Sequence, residues 1–192
     1  MTKKDMVLKA AKELFGEYGY NDTTFKKIAD RAGVAVGLLS HHYGSKEKLF
    51  RVAGLDVTER LVNVLQGEVA AAESGLEAVC FFSEGYLKFS VDPNEDFLVL
   101  VRCSPFSDLK MGNDRDAMVQ KFAQIPALLE TCVARGVRDG SLPDFPVSET
   151  ASIVLCNLVG AVRTKLLSPY SPPNLYGGIV KFIRRSLTNR NS

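Results

Sequence analysis

Apolar residues recur at helical spacing along nearly the whole chain, and nowhere do they alternate as in a half-buried strand. Val7, Ala10, Ala11, Leu14, Phe15 and Tyr18 fall at offsets 0, +3, +4, +7, +8 and +11, one face of an amphipathic helix. Gly19 is a natural stop for it. Phe25, Ile28, Ala29 and Ala32 repeat the first four offsets, with Thr23 or Thr24 as cap and Gly33 as terminator. A short third helix is predicted from about 35 to 42. Ser45 then reads as the N-cap of a long fourth helix over 46–72, striped by Leu49, Val52, Ala53, Val57, Leu61, Val64 and Leu65, with Glu47 in its first turn. Further helices are predicted at 75–91 and at 94–103, ended by Ser104-Pro105, and 107–113 reads as a loop. The next, at 114–138, is kinked or broken at Pro126. The last two are predicted at 149–168, capped by Ser148, and at 172–188, before a frayed TNRNS tail. The expectation is an all-α protein of about nine helices. A three-helix head spans 1–50, and a larger helical body spans 51–192, joined within the fourth helix.

The 192 residues are 46% apolar and 24% charged, which suits a soluble domain with a sizeable core. No run approaches the roughly 18 apolar residues of a membrane span. Asp5, Lys9, Lys12 and Glu13 interrupt any signal-type stretch, so a cytoplasmic location is expected, with no membrane partner. Cys80, Cys103, Cys132 and Cys156 are widely spaced, without the clustering that structural zinc needs. Buried thiols are the plain reading, and a redox switch is the alternative. Residues 1–52 carry ten Lys/Arg against six Asp/Glu, a balance of +4 in a chain whose net formal charge is +2. A basic head on a mildly acidic body points toward a polyanion.

Within the head, Phe25-x3-Ala29-x3-Gly33-x5-Leu39 has the parts of a helix-turn-helix. Ala29 is small where two helices cross, Gly33 tolerates a left-handed turn, and Leu39 anchors the inner face of the second helix, with Val34 beside the turn. The run from Val7 to Val52, with AAKELF, YGY, TT, IADRAGV, GLL and YGSKEKL at matching spacing, resembles the DNA-binding head of TetR-family transcriptional regulators. The resemblance covers about a quarter of the chain.

It implies that the third helix enters the major groove of double-stranded DNA. Leu39 and Tyr43, four residues apart, can both point inward. Ala35, Val36, Gly37, Leu38, Ser40, His41 and His42 are then the candidate groove-facing residues, Gly37 allowing close approach. Thr24 and Lys46 lie at helix N-termini, where N–H groups and the dipole favour phosphate. A tyrosine is common in the family where Ser40 stands, and polar or basic residues where Ala35, Val36 and Leu38 stand. These three can touch thymine methyls but cannot donate bidentate hydrogen bonds to guanine, so readout should lean on apolar contacts and DNA shape.

One head reads one half-site, so a palindrome requires a homodimer. Ala151, Ile153, Val154, Leu155, Leu158, Val159, Val162 and Leu166 cover more than one face of the penultimate helix, and Gly160 and Ala161 permit close approach. Tyr176, Ile179, Val180, Ile183 and Leu187 stripe the last. The resemblance implies that these two helices pair with their copies, the alternative being a larger internal core. The middle helices would hold a small-molecule effector. Phe82, Tyr86, Phe89, Phe97, Met118 and Phe122 are candidate walls, and Arg102 and Arg163 interrupt apolar runs where they could meet an anionic group. Snorkelling or carboxylate pairing is the other reading of both arginines. The implied function is a ligand-responsive regulator, a repressor released from its operator.

An enzyme is not expected: no Gly-rich phosphate loop, nucleophile elbow or His/carboxylate pair is present, and no cofactor is implied. A helical interaction module without DNA binding is a further alternative, to which the bland Ala35-Val36 pair lends some weight. His41 and His42 are the only histidines. Neighbours on a helix diverge by about 100°, so joint metal ligation is disfavoured and a place at the end of the recognition helix is expected.

Overall fold

The computed structural model describes residues 2–102 and 115–188, which are helical and contain no strand. The helices are α1 (Lys3–Tyr18), α2 (Phe25–Ala32), α3 (Val36–Tyr43), α4 (Lys46–Ala70), α5 (Gly75–Val91), α6 (Leu98–Arg102), α7 (Arg115–Asp139), α8 (Val147–Leu167) and α9 (Leu175–Thr188). Two compact units divide them. One gathers the described residues of Met1–Arg60 and Asp92–Lys121, and the other takes in Leu61–Val91 and the described residues of Phe122–Ser192. The expected head, 1–50, lies wholly inside the first unit, which also takes in 51–60 and 92–121.

In the first unit the α1 stripe buries Val7, Ala10, Ala11, Leu14 and Phe15, packing on α2 with its buried Ile28, Ala29 and Ala32, and α2 in turn packs on α3, where Leu39 is buried. Tyr18, expected on that face, is 44% exposed, with Lys27 Nζ 5.4 Å from its ring centroid. Thr2 and Asp5 form a reciprocal capping box at the start of α1. Gly16 faces α6: a Cβ there would stand 3.3 Å from Leu98 Cβ, so the small residue sets how closely the two helices approach. Along α4, Leu49, Ala53, Val57, Leu61 and Leu65 are fully buried, whereas Val64 is exposed and Val62 is buried in its place.

Several helix ends differ from expectation. The segment 94–103 is not one helix: α6 is only Leu98–Arg102. Asp92 folds its carboxylate onto the Asn94 N–H, and Asp96 takes a left-handed φ of 53°, which no helix can pass through. Ser148 does not cap α8. The helix starts at Val147, and the Ser148 hydroxyl donates instead to Glu130 at 2.7 Å. α9 starts at Leu175, Pro172 to Leu175 forming a turn. α7 is a single helix with Pro126 inside. The loop at 107–113, the Ser104-Pro105 stop, Cys103 and all but the first residue of the tail lie outside the described residues. Among the described helices α8 is long and apolar enough to cross a membrane by length and composition, contrary to the expectation of no such run. Ala151, Val154, Leu158, Ala161 and Val162 nevertheless bury one face of it within the second unit.

The second unit is closed by a close approach of α5 to α7. A Cβ on Gly75 would lie 2.0 Å from the Gly136 nitrogen, so no side chain fits. The start of α5 is capped from far along the chain: Gly75 N–H donates to Asp139 Oδ2 (2.8 Å) and Leu76 N–H to Ser141 Oγ (3.0 Å). The bonds that Asp139 accepts from Ser141 and from the Gly75 N–H hold its carboxyl below the ordinary range. Gly75→Ala is expected to destabilise the protein by about 3 kcal/mol through overpacking. Gly67→Ala, at a helical site where a Cβ meets nothing within 4 Å, should stabilise it by about 0.5–1 kcal/mol. Urea unfolding of the two variants checks the contrast.

Candidate nucleic-acid interface

α2 and α3 meet across a turn whose parts are local. Thr24 Oγ1 caps α2 by accepting from Lys27 N–H at 3.2 Å, which settles the choice between Thr23 and Thr24. Thr23 is buried, its hydroxyl donating to the Leu14 and Gly19 carbonyls. Gly33 ends α2 with φ 67°, ψ 36°, and the following Val34 N–H donates to Ala29 O at 3.0 Å. Ala29, 1% exposed, is the small residue at the crossing. α3 begins after Ala35, which offers no side-chain cap to its first turn.

Two residues of α3 point inward. Leu39 is fully buried and Tyr43 nearly so, the Tyr43 hydroxyl donating to Lys4 O at 3.3 Å. Burial pushes that hydroxyl's pKa up. Of the residues expected to face the groove, Ala35, Val36, Gly37, Ser40, His41 and His42 are exposed and Leu38 is half-exposed. Val36, 42% exposed, is the large apolar residue of that face. A Cβ at Gly37 would meet nothing within 4 Å, so internal packing does not require glycine there. The His41 and His42 rings touch edge to face at 5.1 Å. Among the described residues no cluster of His, Cys, Asp or Glu could hold a metal ion.

Lys46 is more constrained than its position alone suggests. Its ammonium donates to Tyr20 O at 2.9 Å and sits 4.1 Å from the Tyr20 ring centroid, a cation–π contact. One donor is thus engaged within the chain, and the group has three. Tyr20 is a site residue that sequence reasoning misses; the available signal is the second tyrosine of YGY. Its ring packs between Phe15 and Phe50, and its hydroxyl donates to Glu47 Oε1 at 2.5 Å. That bond, with the backbone and Ser45 bonds, lowers the Glu47 pKa to about 2. Ser45 Oγ accepts from Lys48 N–H, the cap expected for α4. Tyr20 therefore joins the α1–α2 turn to the first turn of α4.

The expected effector residues are divided between the units. Phe97 and Met118 are buried in the first. Phe82, Tyr86 and Phe89 are buried on α5 of the second, the Phe82 and Tyr86 rings stacked at 6.4 Å, and Phe122 is half-buried in that unit. Burial, with Tyr176 nearby, pushes the Tyr86 hydroxyl's pKa well up. Arg163 is exposed, away from the buried stripe of α8. Arg102 ends α6, and its side chain lies outside the described residues. Cys80 and Cys132 are buried thiols, each raised in pKa by burial, whereas Cys156 is exposed.

A short helix set across a left-handed turn on a buried partner, with its outer face free, is a helix-turn-helix. Residues 7–53 match the family described as bacterial regulatory proteins, tetR family. The chain is similar to the HTH-type transcriptional repressor AcnR of Corynebacterium efficiens, 28% identical over 41% of this chain and 39% of that protein. It is also similar to the HTH-type transcriptional regulator BetI of Escherichia coli, 30% identical over 49% and 45%. The chain thus spans less than half the length of these relatives. The whole fold is similar to that of the TetR family regulator PfmR from Thermus thermophilus, with TM-score 0.78 and 22% identity over 97% of this chain and 99% of that one. It is likewise similar to the ketosteroid regulator KstR2 of Mycobacterium tuberculosis, with TM-score 0.77 and 18% identity over 98% and 96%. Residues 7–53 thus match the head of tetR-family regulators, and the fold of the whole chain is that of the solved regulators it resembles.

Glu47 makes the head's stability pH-dependent. Its folded pKa, about 2, is depressed from 4.5, so its contribution is complete above pH 4.5 and lost as pH falls through about 2. Tyr20→Phe should therefore lower the urea midpoint at pH 7, and the gap from wild type should narrow progressively below pH 4.5.

Proposed function

We propose that this protein is a dimeric, ligand-responsive transcriptional regulator that binds a palindromic operator through α3, and a repressor that a small molecule releases. The observation that carries this is the outward set on α3. Seven residues from Ala35 to His42 leave the head while Leu39 and Tyr43 hold the helix in place. Thr24 and Lys46, at the starts of α2 and α4, are the phosphate-facing positions on this reading. Such a regulator acts in the cytoplasm, where its DNA is.

The dimer reading is supported by the exposed apolar surface of α8 and α9. Ile153 is 56% exposed and Phe182 46% exposed, and both line a groove of about 300 Å³ with Val154, Ile183 and Leu187. Gly160 and Gly178 meet nothing within 4 Å of an added Cβ, which leaves room for a facing helix. The same face accounts for α8 being apolar enough for a membrane: burial against a second copy removes it from water.

The effector reading is supported by the aromatic set Phe82, Tyr86 and Phe89 buried on α5, with Phe122 half-buried in the same unit. A ligand shifts the equilibrium only by its different affinity for DNA-competent and released states.

Selection of bound sequences from random duplex DNA tests the proposal. A palindrome with half-sites about one helical turn apart, or a multiple of it, is expected. Phe182→Asp should yield a monomer by sedimentation and lose the selected palindrome. Enrichment of no sequence, or full palindrome affinity in a monomeric variant, contradicts the reading.

A further inference from the structure

α5 and α9 run antiparallel. At one end Ser90 Oγ and Tyr176 Oη lie 2.8 Å apart, and toward the other Arg184 stands beside the Cys80 thiol. Between them is a groove of about 440 Å³. Its lining falls at 84, 87, 88 and 91 on α5 and at 177, 180, 181 and 184 on α9, the same four-point stripe on each helix.

The floor of the groove is apolar. Leu87 is buried, Val180 is half-buried, Val91 is 46% exposed, and the Tyr176 ring is held by its bond to Ser90. The rim is cationic, with Lys88, Lys181 and Arg184 facing the single carboxylate of Glu84. Glu84 stands 3.9 Å from Lys88. Among the described residues neither Lys181 nor Arg184 has a carboxylate partner. The volume falls in the range of small-molecule sites, roughly 300–1,000 Å³. An apolar trough with unmatched cations on its edge is complementary to a molecule with an apolar body and an anionic head, and a guanidinium offers two parallel donors to a carboxylate.

We propose that the α5–α9 groove binds a carboxylate-headed amphiphile, its hydrocarbon along Leu87, Val91 and Val180 and its head at Lys181 and Arg184. The groove shares no residue with the α8–α9 groove assigned to the dimer or with the aromatic set assigned to the effector. The site is therefore additional to the regulatory reading and is tested apart from it, without DNA.

The test titrates the full chain with decanoate below its micelle concentration by calorimetry, beside decyltrimethylammonium and acetate. Decanoate is expected to bind at one site per chain, and the cationic amphiphile and acetate are not. Lys181→Gln, at an exposed position, should keep the wild-type melting temperature and weaken decanoate binding about tenfold, the loss of one charge-assisted contact. Val180→Asp should abolish binding, and sedimentation reports whether that variant keeps the wild-type assembly. Equal binding of decyltrimethylammonium, or unchanged decanoate affinity in Lys181→Gln, overturns the proposal. So does an absence of decanoate binding together with dissociation of the assembly in Val180→Asp, which would assign the groove to a second copy.

Discussion

Two side chains on an eight-residue helix hold the surface on which everything functional in the head depends. A helix as short as α3 is not stable by itself, because nucleation is unfavourable and few backbone bonds repay it. Leu39 and Tyr43 supply the missing stability by burial, and the Tyr43 hydroxyl adds a bond to the Lys4 carbonyl of α1. Their spacing of one helical turn fixes the rotation of α3 as well as its position. That rotation turns Val36, Ser40 and the two histidines outward. The turn before it contributes the second constraint: Gly33 supplies the left-handed residue, and Ala29 the absence of bulk at the crossing.

Rings and charges add to the apolar burial of the frame around α3. Phe15, Tyr20 and Phe50 interlock, and Lys46 and Glu47 grip Tyr20 by its ring face, carbonyl and hydroxyl. On the other side of α1, Lys12 Nζ lies 2.9 Å from Asp56 and 3.2 Å from Asp96, with only 12% of its side chain exposed. Arg60 pairs with Glu95 and is 3.6 Å from Asp96. These pairs give the left-handed Asp96 turn a reason to exist: it presents two consecutive carboxylates to cations on α1 and α4. Partly buried pairs of this kind fix geometry more dependably than they add stability.

The periodicity of the sequence makes the helices of the head legible, and so does the local chemistry of their ends. Gly19, Thr24, Gly33 and Ser45 act within four residues of where they stand, so a reader of the sequence can place them. The partners that escape such a reading are remote in sequence. Asp139 and Ser141 cap a helix more than sixty residues earlier, and Ser148 forsakes its own helix for Glu130. α6 is short because a non-glycine residue adopts a left-handed conformation that apolar content alone does not signal. The outward set on α3 follows from one inward pair. Tyr20 does not, because its role exists only once α4 returns to the α1–α2 turn. The effector set is the least legible, since apolar residues between helices look the same whether they pack a core or wall a cavity.

The N-terminal part of the outward face of α3, Ala35 to Leu38, carries no side-chain hydrogen-bond donor, and its most exposed large apolar residue is Val36. If this face reads the major groove, thymine methyls are its natural partners. The direct measurement is a double-mutant cycle between Val36→Ala and removal of single thymine methyls, by uracil substitution, in the selected duplex. The account predicts that losing one methyl per half-site weakens binding of the wild-type protein and leaves that of Val36→Ala nearly unchanged. Equal losses for both proteins at every thymine would contradict the placement of α3 against the bases.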